Sequence, residues 1–169
     1  LWKYALLPKQ RGRILALVDP SSHSSGFGWQ AQQSLLAIGS GRGTGKGFME
    51  GTQNRLNFVP EQLTDFPFSV WAEEWGFLGS AIVLILYLAL IFWTLNIASE
   101  TRDRFGATLC CGVAAMLFWH VLVNISMVTA MAPVVGVTLP LISYGGSSML
   151  TFFVGLGLVA SVSIRRYVH

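Results

Sequence analysis

Charge is what this sequence has least of. Only 11% of its 169 residues are Asp, Glu, Lys or Arg, where a soluble domain carries roughly 25%. From Phe105 to Ile164, 60 residues pass without one of these side chains. That excludes an ordinary soluble domain, whose core helices need no such run, and calls for membrane spans. Cysteine is nearly absent as well. Cys110 and Cys111 are the only two and stand side by side in the uncharged run, a spacing that fits neither a disulfide framework nor a metal site. A concentrated basic face is also lacking. Residues 1–76 hold seven cations and six anions, and residues 77–169 hold four cations and two anions. The net charge of +3 is therefore spread over both halves, and no nucleic-acid partner is expected.

What is present is apolar sequence in lengths that fit a bilayer. Phe77–Ala98 is a 22-residue uncharged stretch, about 33 Å long as a helix against a hydrocarbon core of roughly 30 Å. Trp71, Trp75 and Trp93 lie near its ends, where indole rings favour the membrane interface. Ser99–Arg104 returns the chain to water. Pro133, Gly136, Pro140, Gly145 and Gly146 then divide the long uncharged run into a span near Gly106–Thr129, a re-entrant or surface loop near Ala130–Gly146, and a span near Ser147–Ile164. The positive-inside rule puts the connectors bearing Arg102/Arg104 and Arg165/Arg166 in the cytoplasm. Residues 8–74 are then expected outside, as an extracytoplasmic loop, and residues 75–169 as three transmembrane helices with a cytoplasmic C-terminus. Residues 1–7 are apolar but too short to span, and read as the tail of a truncated transmembrane helix.

The polar segment before the first span carries the candidate chemistry. Gln30–Ile38 predicts a short helix with Leu35, Leu36 and Ile38 as its apolar side. Gly39–Gly47 follows, with glycine at every second position and the cations Arg42 and Lys46. A phosphate-binding P-loop would need Gly at 40 and Ser or Thr at 47, where this sequence has Ser40 and Gly47. A glycine strip with two cations can still offer backbone N–H groups and positive charge to a phosphate; the plainer alternative is a flexible loop with solvated cations. Lys46 is the stronger candidate, since no neighbour in sequence would pack its stem. Further on, Pro67 suits the first turn of a helix and pushes Phe66 out of the α region. Asp65 thus sits just ahead of a helix entering the membrane. There it is either a carboxylate stabilised by the helix dipole or a general base at the membrane surface, with Glu61 four residues earlier to orient substrate or cation. Glu73 and Glu74 read as markers of the water interface. Within the spans, His120 and Asn124 share one helix face and read as an interhelical hydrogen-bonding pair rather than a proton relay. Gly155 and Gly157 suit close packing of the last span.

The ordered motifs resemble one family. Gln33-Ser34, Ala37–Gly41, Gly45-Lys46-Gly47, Gly51-Thr52-Gln53, Phe58-x-Pro60-Glu61-x-x-Thr64-Asp65-Phe66 and Ala72-Glu73-Glu74-x-Gly76-Phe77-x-Gly79 are similar to the large extracytoplasmic loop of the SEDS proteins (shape, elongation, division and sporulation). Asn124-Ile125-x-Met127, Pro133–Pro140 and Ser143–Ser148 are similar to the family's last periplasmic loop. The G-K-G and G-T-Q pattern resembles the elongation branch, RodA, more than the division paralogue FtsW. The resemblance implies an all-α polytopic membrane protein, the C-terminal portion of a fold of about ten spans, in the cytoplasmic (inner) membrane of a bacterium. It implies a peptidoglycan glycosyltransferase that polymerises lipid II beside a class B penicillin-binding protein. It also implies that Asp65, the acid of the T-D-F motif, is the essential catalytic residue.

On that reading Asp65 takes the proton of the acceptor sugar hydroxyl as it attacks the donor's anomeric carbon. Lys46 and Arg42, or a divalent cation (Mg²⁺ or Mn²⁺), would meet the leaving diphosphate. Glu61, Gln53 and Thr64 join them as candidate substrate contacts. No metal-ligand spacing is visible, so no cofactor is assigned. The competing readings are an FtsW-like division enzyme, a flippase for the lipid-linked precursor, and a non-catalytic scaffold for a penicillin-binding protein.

Overall fold

The computed structural model describes residues 27–51 and 64–165. The expected tail at residues 1–7, and Gln53 and Glu61, lie outside the described residues. Four helices make up the described chain: α1 (Phe27–Ser40), α2 (Pro67–Glu100), α3 (Arg104–Val128) and α4 (Gly146–Arg165). The last three are long and apolar enough to cross a membrane. α2 packs most extensively on α3, α1 lies on α2, and α4 lies on α3.

α1 contains the helix expected at Gln30–Ile38, and Ile38 of its expected apolar side packs against the core, but Leu35 and Leu36 do not. Gln33, Ser34 and Ala37 are buried, whereas Leu35 is 44% and Leu36 56% exposed. The reason is close approach. Ser34 is small enough to let the helix reach the end of α3, where its Oγ donates to the Val128 carbonyl at 2.7 Å. A leucine there would hold the helices apart.

α2 starts with Pro67 in its first turn, and Phe66 before it takes φ −117° and ψ 28°, outside the α region as its proline neighbour requires. At 34 residues it would be about 51 Å long if straight, well beyond the bilayer core. It is not continuous. Gly76, at φ 66° and ψ −161°, interrupts it just before the span expected from Phe77. The interruption would orphan backbone groups on both sides, because Phe77 and Leu78 can no longer donate to the carbonyls of Glu73 and Glu74 four residues back. The glycine strip after α1 takes up all four. Phe77 N donates to Arg42 O at 2.9 Å and Leu78 N to Gly43 O at 3.1 Å, while Glu73 O accepts from Lys46 N and Glu74 O from Gly47 N, each at 3.1 Å. Such exchange needs backbones in contact. A Cβ on Gly76 would stand 2.3 Å from Gly45 N, and one on Gly45 would stand 2.0 Å from Glu74 O. A main-chain splint across a broken helix thus accounts for Gly45 and Gly76, and the same close approach for Gly41, whose Cβ would stand 2.0 Å from Ala72 O.

The helices pack in three apolar layers. Phe66, Phe68, Val83, Tyr87, Met127, Val128, Val134 and Leu139 form the first. Ile91, Ala114, Leu117 and Phe152 form the second, and Ile97, Ala98, Cys110 and Val159 the third. Gly155 faces Val113 at contact distance, as close packing of α4 requires, but Gly157 faces no neighbour within 4 Å.

The loop between α3 and α4 is re-entrant. Val134 and Leu139 lie in the first layer, Leu141 packs on the second, and the Pro140 carbonyl accepts from the Tyr87 hydroxyl, about 16 Å along α2 from the break. Irregular backbone is tolerated at that depth only where its polar groups are paired inside the protein. Here Leu139 N donates to Ser143 Oγ at 2.6 Å, and Ser143 N returns a bond to Leu139 O at 3.0 Å.

Gly76→Ala should undo the splint. A methyl group there both strains a left-handed backbone, at about 1–2 kcal/mol, and drives into Gly45 N. The expected outcome is a clear fall in the melting temperature of the detergent-solubilised protein, whereas Gly157→Ala leaves it unchanged.

Candidate functional site

Asp65 sits at the head of α2, two residues before its first turn. Its main chain is fixed by Asn124, one turn from the end of α3 and fully buried. Asn124 Nδ2 donates to Asp65 O at 3.0 Å and to Val137 O at 2.6 Å. Two carbonyl acceptors on one atom fix which end of the amide is nitrogen. Asn124 therefore ties together the head of α2, the end of α3 and the re-entrant loop. The loop in turn approaches the Asp65 side chain at Gly136, where a Cβ would stand 3.1 Å from Asp65 Oδ2. With φ at 77°, Gly136 occupies a backbone conformation that a side chain would strain, and its bareness leaves room for the carboxylate. Phe66 and Phe68, both buried, anchor the helix start on either side of Pro67.

The interhelical hydrogen bonding expected of His120 and Asn124 holds for Asn124, whose amide donates to carbonyls of other elements, and not for His120. His120 Nδ1 lies 2.9 Å from Met116 O of its own helix, and its ring meets Phe152 edge-on. Asn124 is spent on two carbonyls of other elements, which are stronger partners than a ring one turn away.

Arg42 and Lys46 line one open depression of about 660 Å³ with Gly39, Ser40, Gly41, Thr44 and Gly45. Neither Asp65 nor Thr64 is part of its wall. Two expectations are corrected here. Glu73 is not a water-interface marker but fully buried, and Lys46 does have a neighbour, since its Nζ lies 2.7 Å from Glu73 Oε1. Ser40 Oγ, at the end of α1, donates to Ala37 O at 2.8 Å and lies 3.4 Å from the same Glu73 oxygen. Arg42 is exposed and holds a left-handed φ of 48°, which lets its carbonyl reach Phe77 N. Among the described residues, no three His, Cys, Asp or Glu side chains stand close enough to share a metal ion.

Glu73, Asn124 and Gly136, which the structure places around the segment that carries Asp65, are not among the site residues expected from the sequence. A signal for Glu73 did exist. Ser69, Ala72, Gly76, Gly79, Ser80 and Val83 repeat at helical three-and-four spacing with Glu73 among them, and all are buried.

The family described as cell cycle protein, FtsW/RodA/SpoVE, matches residues 1–168. The chain belongs to this family. It is 46% identical over 166 residues to the peptidoglycan glycosyltransferase MrdB of Escherichia coli K12, covering 98% of this chain and 45% of that protein. It is 40% identical over 161 residues to the peptidoglycan glycosyltransferase RodA of Treponema pallidum, covering 95% of this chain and 37% of that protein. A chain from a solved peptidoglycan synthase complex, described as coordinating polymerization and crosslinking, matches with a TM-score of 0.75 at 36% identity, over 96% of this chain and 44% of that one. The chain therefore spans less than half the length of these family members. With three apolar helices of spanning length, this FtsW/RodA/SpoVE chain is a multi-pass membrane protein.

Asn124→Leu keeps the branched shape and heavy-atom count and removes both donors, leaving two carbonyls unpaired in a buried site. The expected cost is about 2–4 kcal/mol, read as a lowered melting temperature in detergent.

Proposed function

We propose that this chain carries the catalytic segment of a peptidoglycan glycosyltransferase that polymerises lipid II on the outer face of the bacterial cytoplasmic membrane during cell-wall elongation, beside a class B penicillin-binding protein. The observation that carries the proposal is the placement of Asp65, with its main chain held by Asn124 and its carboxylate against the bare Gly136. The names of the family members at 46% and 40% identity support the reaction class, and the complex matched in structure supports the partner. The arginines at 102, 104 and 165 lie at the opposite end of the spans from Asp65, which supports an outward-facing Asp65.

In this reaction the acceptor sugar's 4-hydroxyl gives its proton to the Asp65 carboxylate. Its oxygen forms the new bond to the donor's anomeric carbon, and the bond from that carbon to diphosphate breaks with its electron pair on the leaving oxygen. Attack opposite the leaving group inverts the anomeric centre. A positioned base is worth roughly 10²–10⁴-fold. Arg42, exposed on the glycine strip, offers a cation to the departing diphosphate. Among the described residues no three His, Cys, Asp or Glu side chains stand together, so a Mg²⁺ or Mn²⁺ ion here would be held in part by the substrate diphosphate. The spans weigh against a flippase, since His120 and Asn124 are bonded within the protein rather than lining a polar path.

Asp65→Asn in the full-length protein should lower glycan polymerisation from purified lipid II by about 10²-fold or more, with membrane insertion and binding to the penicillin-binding protein retained. Polymerisation at the parental rate would sink the general-base reading.

A further inference from the structure

The part of α2 that follows Asp65 is a short stub, Pro67 to Trp75, cut off from the membrane span by Gly76. So short a helix is marginal unless both ends are held. Its first end is held by Phe66, Phe68 and Asn124. Its second end is held by the glycine strip, and there one carboxylate is buried. Glu73 is 0% exposed, and a buried carboxylate stays charged only beside a cation. Lys46 supplies that cation at 2.7 Å, and its main-chain N–H holds the carbonyl of the same residue at 3.1 Å. Ser40 Oγ, whose proton goes to Ala37 O at 2.8 Å, brings the end of α1 to within 3.4 Å of the same oxygen. Three elements thus converge on one carboxylate two helical turns from Asp65.

We infer that Lys46 is a positioning residue for Asp65: its ammonium clasps Glu73 and so fixes the stub that carries the base, rather than meeting the substrate diphosphate. The inference rests on the proposed role of Asp65. It divides the two cations of the strip, with Lys46 turned inward to Glu73 and Arg42 left for the anionic substrate.

The test uses the full-length protein with purified lipid II, titrated to separate kcat from KM, on Glu73→Gln, Lys46→Met and the pair combined. Each rate is normalised to folded protein by melting and size-exclusion. Glu73→Gln is the decisive variant, because it removes the buried charge, retains Lys46, and strands no ion in the interior. A clasp predicts that it lowers kcat by about 3- to 10-fold with KM unchanged, a displacement effect well inside what misplacing a catalytic group can cost. It also predicts that Lys46→Met falls further in kcat and that the combined variant regains most of that second loss. A substrate contact predicts the reverse: KM rises in Lys46→Met and in the combined variant alike, while Glu73→Gln keeps its kcat or binds lipid II more tightly. That pattern, or an unchanged kcat in Glu73→Gln, overturns the inference. Asp65→Asn in the same assay separates the two ideas, since its full activity would refute the base while leaving the kcat and KM pattern of the other variants to judge the clasp.

Discussion

Everything at the head of this molecule depends on one exchange of backbone hydrogen bonds. A helix that ran unbroken from Pro67 to Glu100 would need no partner for its main chain. Breaking it at Gly76 frees two donors and two acceptors, and the Arg42–Gly47 strip satisfies all four. Because the strip must come within backbone contact, side chains are excluded at Gly45 and Gly76, where a Cβ would approach main-chain atoms to 2.0 and 2.3 Å. Two segments 30 or so residues apart are thereby made into one body. The break also lets the stub leave the axis of the membrane span, so Asp65 need not follow the direction of the helix that anchors it.

A second constraint comes from the re-entrant loop. Backbone without regular structure is costly in a bilayer, so a loop that dips beside α2 must be paired residue by residue. Tyr87 serves Pro140, Ser143 serves Leu139, and Asn124 serves Val137. Asn124 makes the loop's placement and the placement of Asp65 a single event, because the same nitrogen donates to both carbonyls. The approach of Gly136 to the Asp65 carboxylate is a consequence of that shared donor.

The spans were legible because hydropathy and length are local properties. The expected boundaries at Phe77, Gly106 and Ser147 fall within a few residues of the break in α2 and the starts of α3 and α4. Pro67 at the first turn was legible for the same reason, since proline's demand on its neighbour is steric and immediate. What was less legible was which face a residue turns inward. Leu35 and Leu36 read as a buried side, yet the contact is made by Ser34 and Ala37, where small size rather than apolarity decides. Glu73 read as exposed because a carboxylate near a membrane usually is, and its partner lies 27 positions away in a strip whose glycines looked like flexibility. Asp65 could not be distinguished from a helix-dipole carboxylate by spacing alone; the resemblance to SEDS proteins, carried by many motifs in fixed order, raised its standing.

The scarcity of charge now has a sharper meaning than membrane insertion. Asp103 caps α3 through bonds to Phe105 N and Gly106 N, and Glu73 and Lys46 hold each other across the splint. Each of these charges supports the fold where a backbone group or a buried partner would otherwise be left unpaired. A chain that keeps so few ions, and commits these to structure, concentrates reactivity in the remainder. At the head of α2 the proposed chemistry falls to a carboxylate beside a bare glycine and an exposed arginine on the strip that holds its helix in place. The base and the cation are then carried by the two halves of the same splint, so the interaction that fixes the fold also couples the groups proposed to act at opposite ends of the sugar transfer.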